Sequence, residues 1–481
     1  MMNVYSIEEL HHGFKTGQIL PENYYQEIWH EAQYQQKRLN AFALMTFDKA
    51  QQDLKHAQFQ NILSGIPYVL KDNFNTKGIY TTASSRMLAD YLPVYNAHIV
   101  DLLEKAECCL IGKASMDELG MGTMNMTALT GPVLNPWNIQ RVAGGSSGGC
   151  AALVGSGVVP FAIGSDTGDS IRRPAGFCGI VGMKPTWGLI SRYGLIPYAA
   201  SLDTVGAMTR SVKDMSIVLE NIAGYDEHDM TSCTKKVPSY YQSLSSDVSH
   251  LKIAVIKNVY ERLTNSRIKE KFMNCVSIFK RLGTTIHEVE FPDTYLQALS
   301  PVYQIIANGE ATSQHACLDG IKYGLQKQGE NIDDMIIRTR SQGFHQSIQQ
   351  RFILGSLALK QENQEKMFRK AQQVRRLIVS SIQDLYRHYD IILTPNGEGI
   401  APFLNEAKQV EYTLVDDFLI VANLAGLPSL TLPCGFVDHM PVAIHIMGRC
   451  FEEQTVLNCA YALEKSLSFS QQYCQKEIQH V

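Results

Sequence analysis

The chain has 481 residues, 45% of them hydrophobic and 19% charged, which is enough apolar mass for a large buried core. Its formal net charge of −4 gives no general basic field, and argues against an unaided grip on nucleic acid. Eleven cysteines without a CxxC pair read as reduced thiols, and fourteen histidines without metal-ligand spacing give no metal site.

The opening "MMNVYSIEELHHGF" carries two glutamates and no cationic start before an apolar core. Neither a secretory signal nor an arginine-rich transit peptide is expected, and no apolar run is long enough to span a bilayer. The expectation is a cytoplasmic protein with no membrane contact. In "PENYYQEIWHEAQYQQ" and "DKAQQDLKHAQF" apolar residues recur every three or four positions, so residues 1–60 are expected to form a helical segment packed on a main domain, 61–481.

"GIPYVLKDNF" then reads as a buried strand ending at Lys71 and Asp72, followed by a helix at "AHIVDLLEKAE" and a strand at "CCLIGK". "SSGGCAALVGSG" opens with capping residues and is expected to start a helix, with a buried strand at "VVPFAIGSD". "VKDMSIVLENIAG" predicts a helix closed by its glycine. Residues 225–250 turn polar and serine-rich, a surface excursion within the domain. A strand–helix–strand unit follows from "LKIAVIKN" to "TIHEVEF", then long helices within 343–388, strands at "YDIILTP", "LPSLTLPCG" and "MPVAIHIMG", and a last helix at "EEQTVLNCAYALEKS". Alternating strands and helices predict one large α/β layer structure.

The chemistry concentrates in "GGSSGGCAALVGSGVVPFAIGSDTGDSIRRP". It lacks the lysine of a Walker phosphate loop and the G-x-G-x-x-G of a dinucleotide turn, and its "GGSSGG" doubles the serine that a nucleophile elbow carries singly. What remains is two serine-bearing loops, at Ser146 and Ser170, joined by an apolar strand. A serine attacks a carbonyl only when a base takes its proton and donors receive its oxyanion. The backbone N–H groups of Thr167, Gly168, Asp169 and Ser170 are candidate donors. Lys71 is a candidate base, because burial disfavours an ammonium. Taken singly, a lysine after a strand reads as a surface residue and a serine in a glycine loop as a turn former.

The set "GIPYVLKDNF", "NPWN", "GGSSGG", "GSDTGDSIRRPAGFCGIVGMKPTWGLISRYGL" and "SLDTVGAMTRSV" closely resembles the amidase signature family over most of the chain. The resemblance implies a central mixed β-sheet covered by helices on both sides. It implies Ser170 as the nucleophile that becomes acylated, Ser146 as a bridging serine on a cis peptide, and Lys71 as the base that draws the proton through Ser146. Two positions depart from the family pattern: Asp169 stands where it usually has glycine, and Arg173 where it often has glutamine. An Asp169 carboxylate near a forming oxyanion would raise its energy, so the side chain is expected to turn toward Arg172 or Arg173.

Within the family, "GEATSQHACLDGIKYG", "SQGFHQSIQQRFILGSLAL", "VRRLIVSSIQDLY" and "VDDFLIVANLAGLPSLTLPCG" are most similar to the glutaminase branch of the aspartyl/glutamyl-tRNA amidotransferases. That resemblance implies a glutaminase whose ammonia serves a partner that amidates Glu-tRNA(Gln). It implies B and C subunits as partners, with tRNA held mainly by B. No cofactor is implied in this chain; ATP and Mg are used by the partner. By position, Arg351 would bind the α-carboxylate of glutamine, Asp416 its α-ammonium, and Tyr303 would help hold it. A free-standing hydrolase of another small amide would share Lys71, Ser146 and Ser170 without needing Arg351 and Asp416, and a non-catalytic scaffold is the third reading.

Overall fold

Five consecutive residues, Pro67–Lys71, are buried without interruption, as in a strand covered on both faces of a sheet. The computed structural model describes residues 3–467. In chain order the strands are β1 (Phe42–Met45), β2 (Pro67–Lys71), β3 (Cys109–Ala114), β4 (Phe161–Asp166), β5 (Val181–Lys184) and β6 (Thr204–Thr209). They continue with β7 (Lys252–Ile256), β8 (Thr285–Val289), β9 (Ile391–Pro395), β10 (Ser429–Val437) and β11 (Met440–Gly448). Among the described residues they form one 11-stranded sheet in the order β1-β3-β2-β4-β6-β5-β10-β11-β9-β7-β8. The sheet is mixed. Strands β3, β2 and β4 run parallel, as do β9, β7 and β8, and antiparallel pairs join the two blocks.

Helices cover both faces. Helix Gly148–Gly155 packs on β2 and β4 and touches helix Arg172–Cys178, which lies on β5, β10 and β11. Helix Glu453–Ser466 lies on β10 and β11 from the other side, next to helix Val212–Ile222 on β6. An outer group, Asp293–Gln314, Gln346–Leu359 and Lys370–Tyr386, packs around the first of the three. The expected layered sheet is therefore present, and no helix among the described residues is long and apolar enough to cross a membrane.

Some elements differ from the sequence expectation. Residues 1–60 hold three helices and also β1, which closes one edge of the sheet by pairing antiparallel with β3. Four residues are too few to carry a visible alternation. Ser147 stands at the start of helix Gly148–Gly155 but makes no capping bond; the first amides go instead to Asn125 Oδ1 (3.0 Å, from Gly148) and the Ser115 carbonyl (3.0 Å, from Gly149). Helix Val212–Ile222 is closed at Ala223 in extended backbone, one residue before the glycine. Helix Asp293–Gln314 is not among the expected elements, and Pro301 within it breaks the pattern that would have marked it. Residues 225–250 form no helix or strand, yet Tyr240 and Val248 are buried in the core and tie the excursion down.

Candidate active site

The register of the parallel block brings the chemistry together. Leu70 of β2 lies opposite Ile163 of β4, so Lys71 leaves the end of β2 beside Ser165, near the end of β4. Ligands of open α/β sheets collect at such carboxyl ends. The Lys71 side chain is fully buried. Its Nζ lies 2.8 Å from Ser146 Oγ, 2.9 Å from Ser165 Oγ and 3.1 Å from the Ser165 carbonyl oxygen. Burial pushes the ammonium down to about 8, against the opposing pull of Cys150, Asp166, Asp117 and Asp203.

Three acceptors match the three hydrogens of an ammonium. A neutral amine has two hydrogens and a lone pair, so it can donate to both Ser165 oxygens while accepting from Ser146 Oγ–H. The site therefore accommodates both forms of the base without moving a heavy atom. Ser165 is not among the residues singled out by the sequence. It stands in the same motif, near the end of the buried strand, and only the strand register points it at Lys71. Asn73 Nδ2 donates to the same hydroxyl at 3.0 Å and holds it in place.

Ser146 follows a cis Gly145–Ser146 peptide bond. Its carbonyl accepts from Asp117 N at 3.1 Å. The Asp117 carboxylate accepts from the backbone of Asn125 (2.8 Å), Met126 (3.0 Å) and Thr127 (3.2 Å), and from Thr127 Oγ1 (2.9 Å). A Cβ on Gly145 would collide with that carboxylate, and one on Gly149 with the carbonyl oxygens of Ala41 and Ser115. These glycines thus serve close packing of the protein on itself.

Ser170 is buried next to this group, its carbonyl accepting from Ser147 N at 3.1 Å. Its hydroxyl makes no hydrogen bond to any described residue. In the same loop, none of the backbone N–H groups of Thr167, Gly168, Asp169 and Ser170 donates to a described residue, although the neighbouring Ile171 N reaches Asp166 Oδ2 at 2.9 Å. Four vacant amides in succession at a buried serine are what an oxyanion needs. The loop is fixed from outside: Arg172 forks onto Asp166 (3.0 and 3.1 Å), and Thr167 Oγ1 donates to Asp203 at 2.6 Å. Burial alone would raise Asp166, but Arg172 outweighs it and holds the carboxyl at about 2.

Asp169 turns away from these amides and forms an ion pair with Arg173 Nε. Its φ is not positive, so a residue with a Cβ fits the position without strain. Arg173 in turn reaches Asp416 Oδ1 through Nη1 at 3.0 Å, and its guanidinium lies 4.7 Å from the Tyr412 ring centre. Tyr303 borders the loop from the other side: a Cβ on Gly168 would sit 3.0 Å from its ring. Tyr303 packs edge-on to Tyr198, and Arg351 Nη1 donates to Tyr198 OH at 2.9 Å. Arg351 has no carboxylate partner among the described residues. Tyr198, missed in the sequence, links Arg351 to the loop through a backbone bond from its own N to Asp203 at 2.8 Å. Lys71 thus touches Ser146 directly, the Ser170 loop is tied to the Ser146 loop through Ser147 N, and Arg351 and Asp416 connect to the same loop through Tyr198 and Arg173 respectively. No cluster of three or more His, Cys, Asp or Glu side chains suited to a metal ion occurs among the described residues.

The chain is similar to known proteins over nearly its whole length. A family model described as Amidase matches residues 24–457. The A subunit of glutamyl-tRNA(Gln) amidotransferase from Sulfurihydrogenibium sp. (strain YO3AOP1) is 38% identical over 469 residues, covering 95% of this chain and 96% of the relative. The protein of the same name from Moorella thermoacetica is 42% identical over 409 residues, or 85% and 84% of the two chains. The crystal structure of the corresponding glutamyl-tRNA(Gln) amidotransferase protein from Thermotoga maritima superposes with a TM-score of 0.79 at 33% identity, covering 96% and 95%. With the sheet, the two serine loops and the buried lysine in place, this chain belongs to the amidase family.

Proposed function

We propose that this chain is the glutaminase component of a glutamyl-tRNA(Gln) amidotransferase, in which Lys71, Ser146 and Ser170 release ammonia from glutamine. The observation that carries the chemistry is a lysine amine sealed from solvent at 2.8 Å from a serine hydroxyl, beside a second serine whose loop amides are vacant. Similarity along 84–96% of the length of proteins with that name supports the choice of reaction.

Neutral Lys71 accepts the proton of Ser146 Oγ as Ser146 accepts that of Ser170. Ser170 Oγ forms a bond to the carboxamide carbon, and the C=O pair moves to oxygen under the amides of residues 167–170. Collapse of the tetrahedral species breaks the C–N bond. The leaving nitrogen takes the proton back along the same relay and departs as ammonia, leaving an ester on Ser170. Water, deprotonated by the same amine, then hydrolyses the ester to glutamate. Arg351 suits the substrate carboxylate, since a guanidinium fork matches that group and this one has no carboxylate partner among the described residues. Tyr303, whose ring borders Gly168 of the loop, is the further proposed substrate contact.

In this reading B and C subunits are the partners, ATP and Mg are used by B to activate Glu-tRNA(Gln), and the complex works in the cytoplasm. The experiment is co-expression with candidate B and C subunits, followed by assay of ammonia release and of Gln-tRNA formation. Amidation that needs glutamine, ATP and Glu-tRNA(Gln) together is the expected result. A glutaminase that neither co-purifies with such subunits nor responds to ATP and tRNA would favour a free-standing amidase.

A further inference from the structure

The two residues that depart from the family pattern, Asp169 and Arg173, touch each other, and together they change what Asp416 is free to do. A carboxylate offers about four acceptor positions. At Asp416 all four are taken by the protein: Oδ1 accepts from Arg173 Nη1 (3.0 Å) and Glu398 N (3.2 Å), and Oδ2 from Thr413 N (3.0 Å) and Thr413 Oγ1 (3.1 Å). Arg173 is itself clamped from the opposite end by Asp169 and is almost wholly buried. Asp169, Arg173 and Asp416 still sum to one negative charge, so the field does not repel a cation. What is missing is a free lone pair on Asp416, and a guanidinium already stands where a second cation would have to come.

Arg351 is in the opposite state. Among the described residues it is bonded only to neutral oxygens, Tyr198 OH at 2.9 Å and Gln304 Oε1 at 3.4 Å. A partly buried guanidinium without a carboxylate partner is suited to receive an anion. Arg351 is thus an open cation, and Asp416 an anion already satisfied from within.

We propose that Arg173, held by Asp169, fills at Asp416 the place a substrate cation would take, so that the pocket selects a primary carboxamide bearing a carboxylate and does not require an α-ammonium. The inference rests on the glutaminase reading, and it deepens it by naming the substrate feature that is left unread. Asp417, which makes no side-chain hydrogen bond among the described residues and lies within electrostatic reach of Arg173, is an alternative acceptor for an ammonium.

The test compares glutamine with glutaramate, the same molecule without its α-ammonium, as ammonia donors for the chain co-expressed with B and C subunits. The kcat/KM ratio of the two donors, taken within one preparation, cancels differences in active fraction. Wild type is expected to use them within fivefold of each other, and Asp169→Gly/Arg173→Gln to shift the ratio toward glutamine by tenfold or more. A wild-type preference for glutamine above fivefold overturns the proposal while leaving the glutaminase reading intact, and needs no variant. An unchanged ratio in a soluble double variant overturns it equally. If the wild-type preference exceeds fivefold and Asp417→Asn abolishes it, the ammonium site belongs to Asp417. Ammonia from neither donor overturns both readings together.

Discussion

Lys71 shows how a single residue acquires its chemistry from where it stands. In water a lysine amine is almost wholly protonated at neutral pH, and a protonated amine cannot take a proton from a serine. Burial lowers it to about 8 in the fold, so a useful fraction is neutral near physiological pH. The direction of the pH effect follows. The active form is the deprotonated one, so kcat/KM for ammonia release rises with pH and levels off above an apparent midpoint near 8. A profile flat across the neutral and mildly alkaline range, measured with a buffer series at constant ionic strength, would remove Lys71 as the base. Lys71→Met should lower kcat by about 10²–10⁴-fold or more, because the relay then has no terminus. From its own neighbourhood in the sequence Lys71 reads as a lysine after a buried strand, and the family resemblance is what marks it as the base. Its contact with Ser165 cannot be read there at all, because it spans 94 positions and depends on the register of β2 against β4.

Between residues and fold stand the loops that deliver the serines, and here Asp117 is decisive. It lies outside the glycine-rich motif, yet its carboxylate gathers three backbone amides and one hydroxyl of residues 125–127, and its own amide holds the Ser146 carbonyl. Asp117→Ala would strand several donors in a partly buried place, at about 1–3 kcal/mol each before relaxation. We expect a net loss of about 2–4 kcal/mol in urea unfolding and a fall in kcat larger than any change in KM. Asp117→Asn keeps one carbonyl acceptor and should recover part of both. Equal kcat in wild type and Asp117→Ala would show that the 122–127 loop does not support the Ser146 loop. The motif points to the serines. It does not point to this carboxylate, because nothing in local spacing marks a side chain that gathers the amides of a turn eight to ten residues further along.

At the scale of the whole molecule, the amino-terminal residues are part of the core. Ile7, Leu10, Phe14, Tyr24, Tyr25 and Ile28 are buried in the same hydrophobic cluster as β2 and β4. Ile7 N donates to Asp214 at 3.0 Å, Tyr25 OH to the Gly65 carbonyl at 3.0 Å, and Arg38 Nη2 to the Pro136 carbonyl at 2.6 Å. We propose that residues 1–60 act as a segment packed on the domain of residues 61–481, required for its folding. Each large apolar side chain buried is worth about 1.5–3 kcal/mol, and whole domains have only about 5–15 kcal/mol to lose. Deletion of residues 1–40 should therefore give insoluble protein when expression is compared by fractionation and unfolding. A soluble, cooperatively folding 41–481 fragment would refute that.

By itself the sequence determined the layered α/β architecture, most of its strands and helices, and the residue types of an acyl-transfer site. These are local properties, carried by hydrophobic period, turn chemistry and a motif of consecutive residues. Tertiary structure alone decided the rest: that Lys71 is sealed in against two serines, that Asp169 belongs to Arg173 and Arg173 to Asp416, and that Arg351 has no counter-ion among the described residues. The physical reason is that charge state and hydrogen-bond vacancy depend on solvent exclusion and on neighbours brought from distant segments, and neither is a property of any stretch of chain read alone.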